Sequence, residues 1–280
     1  MIFLGQIMIC PYKKNYNVVK RHYNFFIIFA ARNNRIELSM KQMIMKRLAI
    51  SKSFIFTLFA VLIGVNLWGQ SSLSGVGTSG DPYIIASEAD WNYFADKVNT
   101  GEDGYATAYY RLTADITVTT MVGTPEHPFS GTFNGRKEGV YNAFTLTFNC
   151  GSSFETATNE EIVAPFRYTD GATIRELILR GAIHTLVGKE AGLIGINTRT
   201  TTNTTVEYVI NYMNFYCYEI LWNEEGGGYA YDGSGISFSY CSYEGTIVAS
   251  NYHGGFCGKA DGNTTFERCL FDPEGGYYWA

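Results

Sequence analysis

Asp170, Asp232 and Asp261 are each followed by Gly in this chain of 280 residues. Several aspartates gathered round one point would supply the hard oxygen ligands that Ca2+ takes, and a nearby Lys or Arg would supply a base. The three recur with a repeat described below, so a calcium-binding row along one side of the molecule is one expectation. The other is turn chemistry: an Asp side chain bonds the backbone two residues on, and the Gly admits positive φ. Lys259 and Arg167 are lone positive charges that no pattern ties to the aspartates.

Hydrolysis of a glycosidic bond asks for a different arrangement, two carboxylates facing each other across the scissile bond. Of the N-x-D, D-D, H-G and R-x-K signatures of pectin-type hydrolases, only His253-Gly254 is present, and it falls inside the repeat. His127, His184 and His253 lack metal-ligand spacing. Five cysteines lie beyond residue 70: Cys150, Cys217, Cys241, Cys257 and Cys269. Cys241 and Cys269 hold equivalent repeat positions. They are either small apolar members of a stacked column or close enough for a disulfide. The expected catalytic set is therefore empty, and no cofactor is expected unless calcium binds.

Two phrases return along the chain. One is "APFRY" at 164–168, "AGLIG" at 191–195, "GGYAY" at 227–231 and "GGFCG" at 254–258, with starts 27, 36 and 27 residues apart. Its large residue is Phe166, Leu193, Tyr229 or Phe256. The other is an apolar residue, two mostly polar ones and a second apolar one, opening at Ile174, Val206, Phe238 and Phe266, at spacings of 32, 32 and 28. Units of this length with short β runs, Gly and Asp-Gly turns, and no 3.6-residue stripe bury their apolar side only by stacking on a neighbour. The pattern predicts an all-β right-handed parallel β-helix with repeats over about 164–275, like residues lying over like at about 4.8 Å per rung. Phe166, Leu193, Tyr229 and Phe256 are expected to point inward, and Ile174, Val206, Phe238 and Phe266 to form one buried column.

Ahead of the repeats, 71–80 reads as a Gly/Ser linker to a β-helix domain over 81–280. Ser87 and Asp90 resemble a capping box, Trp91, Phe94 and Val98 form one apolar stripe, and Gly101 ends it. The spacing predicts a helix over 88–99 that covers the open end of the coil. Alternation over 110–116 predicts a strand.

Residues 1–70 carry ten Lys or Arg and one acid, whereas 71–280 carry eleven basic and twenty-five acidic residues, 11 − 25 = −14. Met45-Lys46-Arg47 precedes the uncharged run Phe54–Val65, and Gly69 stands near its end. This reads as a signal peptide over 45–70, with 1–44 as sequence upstream of the true start. The protein is expected to be secreted or displayed on the cell surface, meeting the membrane only through that signal. A strongly acidic domain repels phosphate, so nucleic acid is excluded as a partner. Tyr109, Tyr110, Tyr229, Tyr231, Tyr240, Tyr243, Tyr252, Tyr277, Tyr278 and Trp279 offer aromatic surface wherever packing does not consume them.

The stretches Gly77–Gly101, "YYRLTADITV" at 109–118, "HPFSGTFNG" at 127–135 and "AGLIG" resemble the secreted and surface-exposed right-handed β-helix proteins of Bacteroidetes-type bacteria. Those proteins carry GLUG-like repeats and share the pectin-lyase-like fold. The resemblance covers nearly all of 75–275, and it implies adhesin-like roles with glycans or host and cell-surface proteins as partners. It carries over no catalytic residue. Such proteins often continue into further repeats, and "GGYYWA" at 275–280 reads as the opening of another rung, which would make this chain truncated. A polysaccharide lyase or glycoside hydrolase on the same scaffold is the alternative.

Overall fold

The computed structural model describes residues 72–279 except 140–141, 159, 187–188, 199–202, 219–224, 250–251 and 274–276. The segments read from the sequence as an upstream extension, 1–44, and a signal peptide, 45–70, lie outside the described residues. Gly69–Ala280 forms one compact unit.

Strand pairing decides the architecture. Among the described residues every pair of strands is parallel, and in the first run apolar residues lie opposite one another from rung to rung. On one face β1 (Tyr83–Ile85), β2 (Tyr109–Leu112), β4 (Thr132–Asn134), β7 (Thr173–Thr185), β9 (Thr204–Asn211), β13 (Ile236–Ser239) and β18 (Thr265–Glu267) follow in turn. Their register runs Tyr83, Tyr110, Phe133, Ile174, Val206, Phe238, Phe266. This is a parallel β-solenoid. Stacking in register repeats residue type at each turn because each side chain lies on its counterpart in the rung below.

A second face pairs β3 (Ile116–Val118), β5 (Phe144–Cys150), the middle of β7, the end of β9, β14 (Ser242–Tyr243) and β19 (Leu270–Phe271). The end of β7, β10 (Asn214–Cys217), β15 (Ile247–Ala249) and β20 (Tyr277–Trp279) form a third run. The coil is closed by β6 (Phe166–Thr169), β8 (Ile194–Asn197), β12 (Ala230–Asp232) and β17 (Cys257–Lys259), with β11 (Glu225–Gly227) on β16 (Tyr252–Gly254). The thirteen residues of β7 serve three runs by bending twice, at Glu176 and at Gly181, whose φ is +118. A Cβ there would lie 1.9 Å from the Phe148 carbonyl oxygen, so only Gly fits.

Three details differ from the pattern read in the sequence. The alternation over 110–116 is two strands, β2 and β3, joined by a corner. Phe166 is buried but pairs with Ile194, one place along from Leu193. The cause is an extra residue: Val163 faces Glu190, so three steps of chain oppose four. Leu193 N and Ile194 N both donate to the Tyr229 carbonyl, at 3.1 and 2.9 Å. That doubled donation marks a bulge, and it lets the consecutive Leu193 and Ile194 both reach the core. The third difference concerns Phe266, which is in register with Phe238 but 50% exposed, because β18 pairs only with β13. Phe256, at the same end, is half-buried.

The helix α1 (Glu88–Asn99) closes the other end. Ser87 Oγ accepts from Asp90 N at 3.2 Å, while Asp90 Oδ2 accepts from Ala86 N at 2.9 Å. Its stripe, Trp91, Phe94 and Val98, is wholly buried. Trp91 meets Phe133 and Phe166 edge-on at 5.7 and 5.6 Å, and Phe94 lies 4.1 Å from Tyr110. The helix therefore sits on the first members of the core columns.

Candidate functional site

The second repeated phrase makes a corner. Along a straight strand, residues i and i+3 point to opposite faces. Here Ile174 and Leu177 are both buried, as are Val206 with Val209 and Phe238 with Cys241. The residue between makes this possible. Glu176, Tyr208, Tyr240 and Arg268 have φ of 53, 54, 53 and 53, in the left-handed region, and none is Gly or Asn. Each such conformation costs about 1–2 kcal/mol, offset on the first three of these rungs by turning two apolar side chains inward.

The turn also throws the third side chain outward, four times in line. Tyr208 is 53% exposed and Tyr240 38%. Their rings stack at 4.7 Å with an 11° interplanar angle. The Arg268 guanidinium lies 5.0 Å over the Tyr240 ring and donates to its hydroxyl. Glu176, one rung back, faces Arg136, with Oε1 at 3.4 Å from Nη1.

Beside this row opens a groove of about 480 Å3. It is lined by the apolar Ala143, Leu177, Ile178 and Ile210, by the Tyr208 side chain, and by the polar Arg136, Asn142 and Glu176. An exposed aromatic side chain beside apolar lining, with a few donors and acceptors, suits a ligand that is apolar on its flat face and polar at its edge. A pyranose ring has that form. Among the described residues Glu176 is the one carboxylate lining the groove, and a two-carboxylate mechanism needs a second one facing it.

The aspartates lie elsewhere and apart. Asp170, 6% exposed, follows β6 in a turn where its N–H donates to the Phe129 carbonyl at 2.9 Å. Asp232 Oδ1 accepts from Ser234 N at 3.0 Å, and its Oδ2 is 3.8 Å from Lys259 Nζ. Asp261 Oδ1 accepts from Asn263 N at 3.0 Å and from Gly235 N one rung away at 3.2 Å. All three are engaged in turns. Among the described residues no three His, Cys, Asp or Glu side chains converge as a metal site.

His253 lies inside the coil, 5.0 Å from the Phe215 ring, with Nε2 3.6 Å from Glu190 Oε1. A Cβ on Gly226 would come within 2.4 Å of the imidazole, so Gly226 makes room for it. Burial lowers the His253 pKa to about 4, leaving the ring neutral at pH 7. His184 stacks on Tyr216 at 4.5 Å and bonds the Tyr218 hydroxyl at 2.6 Å.

Tyr110, Tyr229 and Tyr243 are consumed by the core. Tyr208 is absent from the aromatics that the sequence singles out, and so are Arg136 and Asn142. The signal that would have found Tyr208 is its place in the repeat: the third position of the corner holds Tyr in two successive rungs. Comparison with protein-family models, with characterised proteins and with solved structures finds no match for this chain.

Proposed function

We propose that this protein is an exported, non-enzymatic β-solenoid that holds a glycan chain on its outer corner. The observation that carries the reading is the groove beside Tyr208. Its aromatic member is braced by the Tyr240 ring stacked on it, which Arg268 in turn covers, so a flat sugar ring can lie against Tyr208 while Arg136, Asn142 and Glu176 meet its hydroxyls. A rigid surface whose positions recur at a fixed rung spacing suits a polymer whose residues also recur at a fixed spacing, with Tyr208 as the stacking contact.

Export rests on the charge break at residue 70 and the uncharged run Phe54–Val65. The resemblance to surface-displayed GLUG-repeat proteins points the same way, and a host or cell-surface protein carrying glycans is the natural partner. The test is titration of the purified chain against a panel of acidic and neutral polysaccharides, with Tyr208→Asn and Tyr240→Asn beside it. Asn tolerates the left-handed region, so both variants keep the fold, checked by circular dichroism. Binding is expected to weaken about tenfold in each, roughly 1.4 kcal/mol. Unchanged affinity in both variants would sink the site. New reducing ends or unsaturated-product absorbance would replace binding with cleavage.

A further inference from the structure

Cys241 and Cys269 close successive corners, each the residue after a left-handed one. Ser242 faces Leu270 and Tyr243 faces Phe271 in register, and Leu270 N donates to the Cys241 carbonyl at 2.9 Å. The two cysteines are therefore direct neighbours, one rung apart. Parallel strands lie about 4.7–4.9 Å apart, inside the Cα separation of about 4.4–6.8 Å that a disulfide spans. Side chains on one column point the same way, so bridging asks the two Cβ atoms to close slightly without turning either strand. The rungs cannot slip out of this register easily. Phe238 stacks on Phe266 at 5.3 Å and 4°, and Arg268 is held on Tyr240.

We propose that Cys241 and Cys269 are an oxidation site at which a small-molecule disulfide, such as oxidised glutathione, bonds one rung of the coil to the next. Cys269, the more accessible of the two, attacks one sulfur of the small disulfide and expels a thiolate. Cys241 sulfur then attacks Cys269 sulfur and expels the second. The protein loses two hydrogens and two electrons, and the oxidant leaves as two thiols.

The contact between the sulfurs prepares this order of events. Cys241 shares its S–H with Cys269, which lowers the Cys269 thiol against the opposing effect of burial. The same bond and burial push the Cys241 thiol up. Cys257, the third thiol near this end of the coil, is pushed up to about 12 by burial, which keeps it protonated and unreactive. An oxidising environment outside the cell would sustain the bond.

The purified full-length chain, fully reduced and then held with oxidised glutathione under native conditions, is to be alkylated after denaturation, digested and mapped by mass spectrometry. The expected product is a peptide pair linked through Cys241 and Cys269, with the other cysteines alkylated and a higher midpoint of thermal unfolding. Cys241→Ser is expected to retain glutathione on Cys269 as a mixed disulfide. Where that variant does not fold, the map of the unaltered chain decides alone. Full alkylation of both thiols in the native chain would overturn the proposal, and so would a linked peptide in which Cys257 replaces Cys241.

Discussion

His253 shows what one buried side chain imposes on the whole. Its folded pKa of about 4 lies below the ordinary value of 6.5, because burial penalises the imidazolium more than the hydrogen bond to the Gly254 carbonyl compensates. The unfolded chain takes up a proton that the folded chain refuses. Stability is thus complete above about pH 6.5 and falls as the pH drops towards 4, by about 3 kcal/mol in all. Urea denaturation of the wild type and of His253→Gln across this window checks it. The wild type is expected to lose that much relative to the variant, whatever the difference between them at pH 7. Carboxylates such as Glu161, held below their usual range by Lys189, titrate in both proteins and cancel. Parallel pH profiles would show that the ring is protonated in the fold.

At the scale of elements, α1 depends on a reciprocal pair. Ser87 and Asp90 satisfy donors at the helix entrance and also bond each other, Ser87 Oγ donating to Asp90 Oδ2 at 2.8 Å. Ser87→Ala is expected to cost about 1 kcal/mol, and Asp90→Ala a similar amount. The double variant should cost less than their sum, because either change already breaks the shared bond. Additive losses in chemical denaturation would mean that the two act separately.

This helix was legible in the sequence, since cap, stripe and stop are all local. So was the column Ile174, Val206, Phe238, for a physical reason: in-register stacking prints one residue type at one spacing. The corner was not. A left-handed residue is usually announced by Gly or Asn, and here Glu, Tyr, Tyr and Arg carry it, so the outward row with its groove stayed hidden behind two positions that read simply as polar. The bulge at Leu193 left no mark either, because one added apolar residue in a Gly-flanked phrase changes neither composition nor period. The corner between β2 and β3 escaped for the opposite reason: Thr113 and Asp115 continue the alternation through the bend.

At the scale of the molecule, each rung touches only its neighbours, so stability is a sum of adjacent contacts. The sum is not even along the axis. The α1 end is sealed by Trp91, Phe94, Phe133 and Phe166, whereas Phe266, Leu270 and Phe271 are 50%, 54% and 40% exposed on the last described rungs. Amide exchange followed by mass spectrometry is expected to be slowest in β4 and β5, faster in β13 and fastest in β18 and β19. Equal protection throughout would mean that the coil opens only as a whole. The seal made by α1 has a mechanical consequence. A coil fastened at one end behaves under tension as a tape with a stop. Load applied near β19 peels rungs away one after another, each at a small force and each free to rewind on the rung beneath. Load applied at α1 meets the interlocked aromatic rings first and finds no rung that can yield alone.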